Sequence, residues 1–243
     1  MKRFKALVLS AFAVALVGAV GVAPSTYADV ASGKADIGAG SGIKFGTQPV
    51  GAVNTCTLAA IGYDQQNNLV GISVGHCPTN TGGSNTAIGQ LNDPTWAQVS
   101  GQKDAALGPV GTVVKKEYTE LNDNAPDYSV ILFDKNKVNP LKTVGSTTLY
   151  GIATTPPSIF QNVCKEGRTT AQTCGIVTNV TANYFDSFAF ASGGDSGSPV
   201  VKTSDGKLAG YLTGGVGTTR YKYIQPVLNR INSLGGVGSG FHL

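Results

Sequence analysis

Gly193-Gly194-Asp195-Ser196-Gly197-Ser198-Pro199-Val200 is the densest chemical signal in this 243-residue sequence. A hydroxyl nucleophile in acyl transfer needs backbone N–H groups converging where a carbonyl oxygen becomes negative, and a side chain projecting from a tight turn. Glycines permit the unusual backbone angles and the close approach of a substrate. Gly194 and Ser196 could each present an N–H to such an oxyanion. The competing reading of the same letters is a Gly/Ser-rich hairpin loop. The Gly-x-Ser-x-Gly elbow of another hydrolase architecture is excluded, because Ser198 stands where its second glycine belongs.

A serine is a poor nucleophile near neutral pH without a base, and the base needs an orienting acid. Only two histidines exist. His242 is the second-last residue on a glycine-rich tail and reads as a solvated terminal side chain. His76 lies in Ser73-Val74-Gly75-His76-Cys77, at the end of an apolar run, and is the candidate base; a buried structural histidine is the alternative. Asp127 opens the run Asp127-Tyr128-Ser129-Val130-Ile131-Leu132, at a strand entrance partly shielded from water, and is the preferred acid. Asp123 and Asp134 sit in polar stretches and read as solvated turn residues.

Outward from this constellation, composition sets the context. Lys2, Arg3 and Lys5, an apolar run from about Ala6 to Ala23, and small residues at Thr26 and Ala28 form the pattern of a secretory signal peptide over residues 1–28. An uncleaved membrane anchor is the alternative. The whole chain has 18 Lys and Arg against 14 Asp and Glu; cleavage after Ala28 leaves 15 against 14, so charge gives no reason to expect nucleic acid as a partner. Cys56, Cys77, Cys164 and Cys174 form an even set, which in an exported chain suggests two disulfides. Of three pairings, Cys56–Cys77 and Cys164–Cys174 are favoured because each closes a local loop. A zinc site is disfavoured by the absence of Cys-x-x-Cys and the two histidines, and neither a metal nor an organic cofactor is expected.

Short runs rich in Val, Ile, Leu, Thr and Tyr recur after residue 45, as in Leu69–Val74, Tyr128–Phe133, Gly175–Val180 and Lys207–Leu212. Asn67-Asn68, Asn122-Asp123-Asn124 and Asp205-Gly206 are turn signals between such runs, the pattern of an all-β chain. Ile224, Val227, Leu228 and Ile231 recur at helical spacing, predicting a helix over Ile224–Leu234 that Gly235-Gly236 terminates. The polar segment Asp134–Thr148 reads as a connector between two β-domains. The expected organisation is a flexible leader or short propeptide over 29–45, an N-terminal β-barrel over 46–140, a C-terminal β-barrel and helix over 141–235, and a mobile tail over 236–243.

At this point the sequence resembles the chymotrypsin-like serine peptidases, closest the bacterial α-lytic protease and streptogrisin group. Gly75-His76-Cys77 and Gly194-Asp195-Ser196-Gly197 match the family's histidine and serine motifs, and the chain order His76, Asp127, Ser196 is the chymotrypsin order. Cys164 to Gly175 looks like the group's second-barrel disulfide loop, and Tyr223-Ile224-Gln225-Pro226-Val227 like the start of its C-terminal helix. The likeness spans about residues 52–232, specific in these patches and loose between them.

The resemblance implies two antiparallel six-stranded β-barrels with His76, Asp127 and Ser196 in the cleft between them, and a secreted, monomeric serine endopeptidase acting on protein or peptide substrates, without stable membrane association once the signal peptide is gone. It implies an oxyanion hole at Gly194 and Ser196. It also makes Thr213 a support for Asp127 and Gly215 a partner of the substrate backbone. Counting back from Ser196 puts Phe190 at the base of the specificity pocket beside Ala191 and Ser192, with Thr219 in its wall. No carboxylate or histidine stands at these positions, so Lys, Arg and Glu are not the expected substrate side chains; small or medium apolar ones are. Asp195 needs a buried cation, with Lys165 the positional match and Arg168 the alternative. The group's large prodomain and a third disulfide are not visible. These departures keep a second function open, a catalytically silent secreted binding protein, and a third, an esterase or acyltransferase using the same residues.

Overall fold

The structure, a computed structural model, describes residues 33–46, 54–78, 85–97, 107–120 and 122–243; the expected signal peptide lies outside them. In the first half, β2 (Gly42–Phe45), β3 (Asn54–Thr57), β4 (Ala60–Tyr63), β5 (Leu69–Ser73), β6 (Asn85–Ala97), β7 (Gly111–Tyr118) and β8 (Asp127–Phe133) form one antiparallel sheet in the order β3-β2-β6-β7-β8-β5-β4. The apolar run in β5 is buried throughout, and the turn before it is built by Asp64, whose carboxylate accepts from the N–H groups of Gln66 (2.9 Å) and Asn68 (2.8 Å) while Asn67 takes a positive φ of 61°.

This half is a sheet curled as a half-barrel, and the reason lies in one bend. β3 and β4 are the two edges of the sheet, yet only Leu58 and Ala59 separate them. Leu58 donates to Ser41 on one side, and Ala59 donates to Ile72 on the other. One bent segment therefore supplies both edges, and the sheet curls round a core that includes Ile43, Phe45, Leu58, Val70, Ile72 and Val130.

The second half is a closed barrel, β12-β13-β14-β17-β16-β15, made of β12 (Asn162–Gly167), β13 (Ala171–Val180), β14 (Tyr184–Ser187), β15 (Pro199–Lys202), β16 (Leu208–Gly214) and β17 (Thr219–Tyr223). Phe185 stacks between Tyr221 (5.1 Å) and Tyr223 (5.4 Å) in its core. Helix α1 (Ile224–Leu234) follows, and its apolar stripe, Ile224, Val227, Leu228 and Ile231, is buried in the first half's core rather than the barrel's own. Gly235, at φ 67°, ends it.

Three expected boundaries are corrected. The described part of the 29–45 leader is structural: β1 (Ala35–Gly38) pairs in parallel with β9 (Val138–Leu141), and β2 lies between β3 and β6, with Ile37, Ile43 and Phe45 fully buried. The connector carries β9, β10 (Thr143–Val144) and β11 (Thr147–Thr148), so a division at 140/141 falls inside a strand. The 236–243 tail is docked. Tyr63 and His242 exchange backbone hydrogen bonds of 2.8 and 2.9 Å, Gly238 N–H donates to buried Asp64, and Phe241 enters the first core. Glycine-rich segments carry little periodic signal, and these take their order from the edges they cover.

Candidate active site

His76 lies in the loop that follows β5, and Asp127 opens β8, the strand paired with β5 in the curled sheet. Cys77, bridged to Cys56 on β3, anchors the loop carrying the imidazole. Gly75 is required there: a Cβ at that position would lie 2.2 Å from the Glu117 carbonyl oxygen and 2.8 Å from that of Tyr128. The closeness lets Asp127, at the entrance of β8, turn its carboxylate onto the loop. Oδ1 accepts from the N–H groups of Gly75 (2.7 Å) and His76 (3.0 Å), and Oδ2 lies 2.8 Å from His76 Nδ1. A carboxylate can only accept, so Nδ1 carries the proton and Nε2 keeps its lone pair. Both side chains are largely shielded, and the His76 ring lies against Tyr118 at 5.7 Å.

Ser196 is brought to the interface by contacts that sequence reading missed. Thr57 N–H donates to the Ser196 carbonyl (2.8 Å), and its hydroxyl donates to the Gly194 carbonyl (2.9 Å) while accepting from Arg168 N–H (3.2 Å). The Tyr211 hydroxyl donates to the Asp127 carbonyl (2.8 Å). The adjacency of Thr57 to Cys56, which is bridged to the residue after His76, was the available clue. Gly197 explains its own place in the motif. Its φ is 90°, and a Cβ there would lie 2.1 Å from the Thr57 carbonyl oxygen. Gly194 has φ 94°. Among the described residues, neither Gly194 N–H nor Ser196 N–H donates a hydrogen bond within the chain. Two donors beside the hydroxyl are thus available to a ligand, the arrangement an oxyanion requires.

The turn itself is held by Asp195. Its side chain and that of Lys165 are fully buried, with Nζ 3.3 Å from Oδ2. The carboxylate also accepts from Thr169 N–H (2.9 Å), Thr170 N–H (3.2 Å), the Thr170 hydroxyl (2.6 Å) and Ser192 N–H (3.0 Å). Burial pushes the Asp195 carboxyl up, but the Thr170 hydroxyl, the Lys165 ammonium and the two N–H groups at Ser192 and Thr169 outweigh it and hold the group below the ordinary carboxylate range. Of the two cations considered for Asp195, Lys165 is the one that meets it. Cys164 and Cys174, directly opposite across β12 and β13, are bridged beside it.

A cleft of about 510 Å³ opens next to Ser196, lined among others by Ser187, Ala189, Ala191, Leu212, Gly215 and Thr219. No lining residue is charged. Its buried members are Ser187, Ala189, Leu212 and Thr219, and the Thr219 hydroxyl donates to the Ala189 carbonyl. Phe190 lines the cleft but is 67% exposed and is not its base. After β14, alternate residues point inward, so Ser187 and Ala189 face in while Phe188 and Phe190 face out; counting back from Ser196 gives the wrong parity. Thr213 is half-buried and, among the described residues, makes no hydrogen bond to Asp127. Gly215, at φ 126°, sits where a Cβ would meet the Thr218 carbonyl at 2.0 Å.

No protein-family model matches the chain, and no curated protein matches it by sequence. Solved structures do. The Nocardiopsis protease matches with a TM-score of 0.58 at 20% identity, over 82% of this chain and 97% of that one. A glutamic acid specific serine protease that uses a histidine triad in substrate binding matches with 0.56 at 19%, over 80% and 97%. A chymotrypsin from Cellulomonas bogoriensis matches with 0.52 at 21%, over 80% and 95%. The strand order, the two-part β architecture and these likenesses agree: the chain has the fold of the bacterial chymotrypsin-like serine peptidases.

Proposed function

We propose that the protein is a secreted serine endopeptidase with Ser196 as nucleophile, His76 as general base and acid, and Asp127 as the residue that orients the imidazole. The observation that carries this reading is the 2.8 Å contact of His76 Nδ1 with Asp127, which leaves the imidazole Nε2 as a proton acceptor, in a fold that sets Ser196 in the wall of a cleft. His76 takes the Ser196 proton as the oxygen attacks a peptide carbonyl. The Gly194 and Ser196 N–H groups receive the negative oxygen. The tetrahedral intermediate collapses, His76 protonates the leaving amine, and an ester links Ser196 to the acyl fragment. Water, deprotonated by His76, then releases the acid and restores the serine.

The two disulfides and the secreted habit implied by the leader motif support an extracellular site of action. Among the described residues no helix is long and apolar enough to cross a membrane. The uncharged lining and small buried residues favour small or medium apolar side chains on the acyl side of the scissile bond. The histidine-based recognition of the glutamic acid specific neighbour has no counterpart, since neither histidine of this chain lines the cleft. A peptide-library digest tests the reading. Cleavage after uncharged residues by the wild-type protein, abolished by Ser196→Ala with the fold retained, is expected. Equal cleavage by both proteins, or cleavage only after Lys and Arg, contradicts it.

A further inference from the structure

Large apolar side chains left in solvent singly need no explanation, but grouped they mark a binding surface. Among the described residues eight are exposed, and six of them, Ile159, Phe160, Ile176, Phe188, Phe190 and Val216, belong to the second barrel. Backbone contacts chain most of them together. Phe188 N–H donates to the Ile176 carbonyl (3.1 Å), Phe160 N–H donates to the Val177 carbonyl (2.9 Å), and the Thr173 hydroxyl on the same strand donates to the Phe190 carbonyl (2.6 Å). Phe160 is unusual twice over. It is 77% exposed, and it holds a left-handed φ of 66°, an uncommon conformation for a bulky residue. Neither core packing nor backbone preference accounts for an aromatic side chain there.

The surroundings are also free of available charge. Residues 154–162 contain no Asp, Glu, Lys, Arg or His, and residues 171–194 contain one, Asp186, which is buried and paired with Arg220 at 2.9 Å. The strip is continuous with the cleft, because Phe188 and Phe190 line the same space as Ser196.

We propose that Phe160, Ile176 and Phe188 form an exosite that seats an uncharged, apolar segment of a polypeptide substrate, outside the residues that flank the scissile bond. The proposal rests on the serine endopeptidase reading. A substrate is the occupant because a chain seated at Ser196 and passing over Phe188 and Phe190 is already on the strip. The exosite selects long apolar chains over charged ones, and short peptides that fill only the cleft do not sense it.

The test uses three substrates with one cleavage sequence: a short peptide amide, a long polypeptide rich in Val and Phe, and a long polypeptide rich in Glu and Lys. The variant is Phe160→Ser/Ile176→Thr, both positions lying outside the cleft lining. The wild-type protein is expected to favour the apolar polypeptide over the charged one by about tenfold or more in kcat/KM, mainly through KM. The variant is expected to lose that preference while cleaving the short peptide as before. A wild-type protein that cleaves the short peptide but treats both long chains alike overturns the exosite and spares the peptidase reading, as does a preference that survives in the variant. Sedimentation that finds a wild-type dimer abolished by the two substitutions assigns the strip to a second copy of the chain and also overturns it. A folded wild-type protein that cleaves no short peptide removes the peptidase reading, and the exosite with it.

Discussion

Asp127 does three things with one carboxylate: it fixes the His76 tautomer and satisfies two backbone N–H groups of the histidine loop. Asp127→Asn replaces one acceptor oxygen by a donor, which favours the wrong imidazole tautomer. Steady-state hydrolysis of a peptide amide should fall in kcat by roughly three to four orders of magnitude; a loss below tenfold contradicts the assigned role. Lys165 gives a second residue-scale prediction. Its removal as Lys165→Met leaves the buried Asp195 uncompensated and should cost about 3–5 kcal/mol in denaturant unfolding; an unchanged midpoint contradicts the pairing. The pairing of His76 with Asp127 was legible because the residue supply was so restricted. With one internal histidine and one strand-opening aspartate, His76 and Asp127 had few rivals. Phe190 lines the cleft without being buried at its base, because the parity of the strand after Ser187, rather than distance from Ser196, decides which side chains are buried. Thr57 was invisible because its role rests on a contact 137 residues away in sequence, to the Gly194 carbonyl.

Elements with a strong period were readable: the Ile224–Leu234 helix and the apolar cores of β5 and β8 stand where their residues indicate. The helix's destination was not, since an apolar stripe does not name the core it fills. β1 and β2, set in a Gly-, Ala- and Ser-rich stretch, and the glycine-rich C-terminal tail were missed for the opposite reason: they are ordered by partners rather than by propensity. Gly62 marks such a partnership, since a Cβ there would lie 2.0 Å from the His242 carbonyl oxygen. Phe241 anchors the tail at 8% exposure. Phe241→Ala should lower unfolding free energy by about 3 kcal/mol without changing kcat on short peptides, as measured by urea titration beside an activity assay. A stability equal to wild type contradicts the docked tail.

Two buried carboxylates hold the molecule together at its largest scale. Asp195 fixes the serine turn within the second barrel, and Asp64 ties the C-terminal tail to the first sheet. Burial pushes both upward, yet hydrogen bonds, at Asp195 joined by the Lys165 ammonium, hold both below the ordinary carboxylate range. A depressed carboxyl stabilises the fold above its unfolded value, about 3.9, and that contribution is lost as pH falls further. Acid unfolding followed by circular dichroism should therefore show stability declining below about pH 4, and Asp195→Asn should flatten that decline. The proposed function rests on the same architecture, a sheet carrying His76 and Asp127 beside a barrel carrying Ser196. The most direct measurement is intact-mass analysis after exposure to a fluorophosphonate. The wild-type protein should gain one adduct, mapped to Ser196, with none on Ser196→Ala and much slower labelling of His76→Ala. A folded wild-type protein that stays unlabelled, or is labelled as fast without His76, contradicts the account.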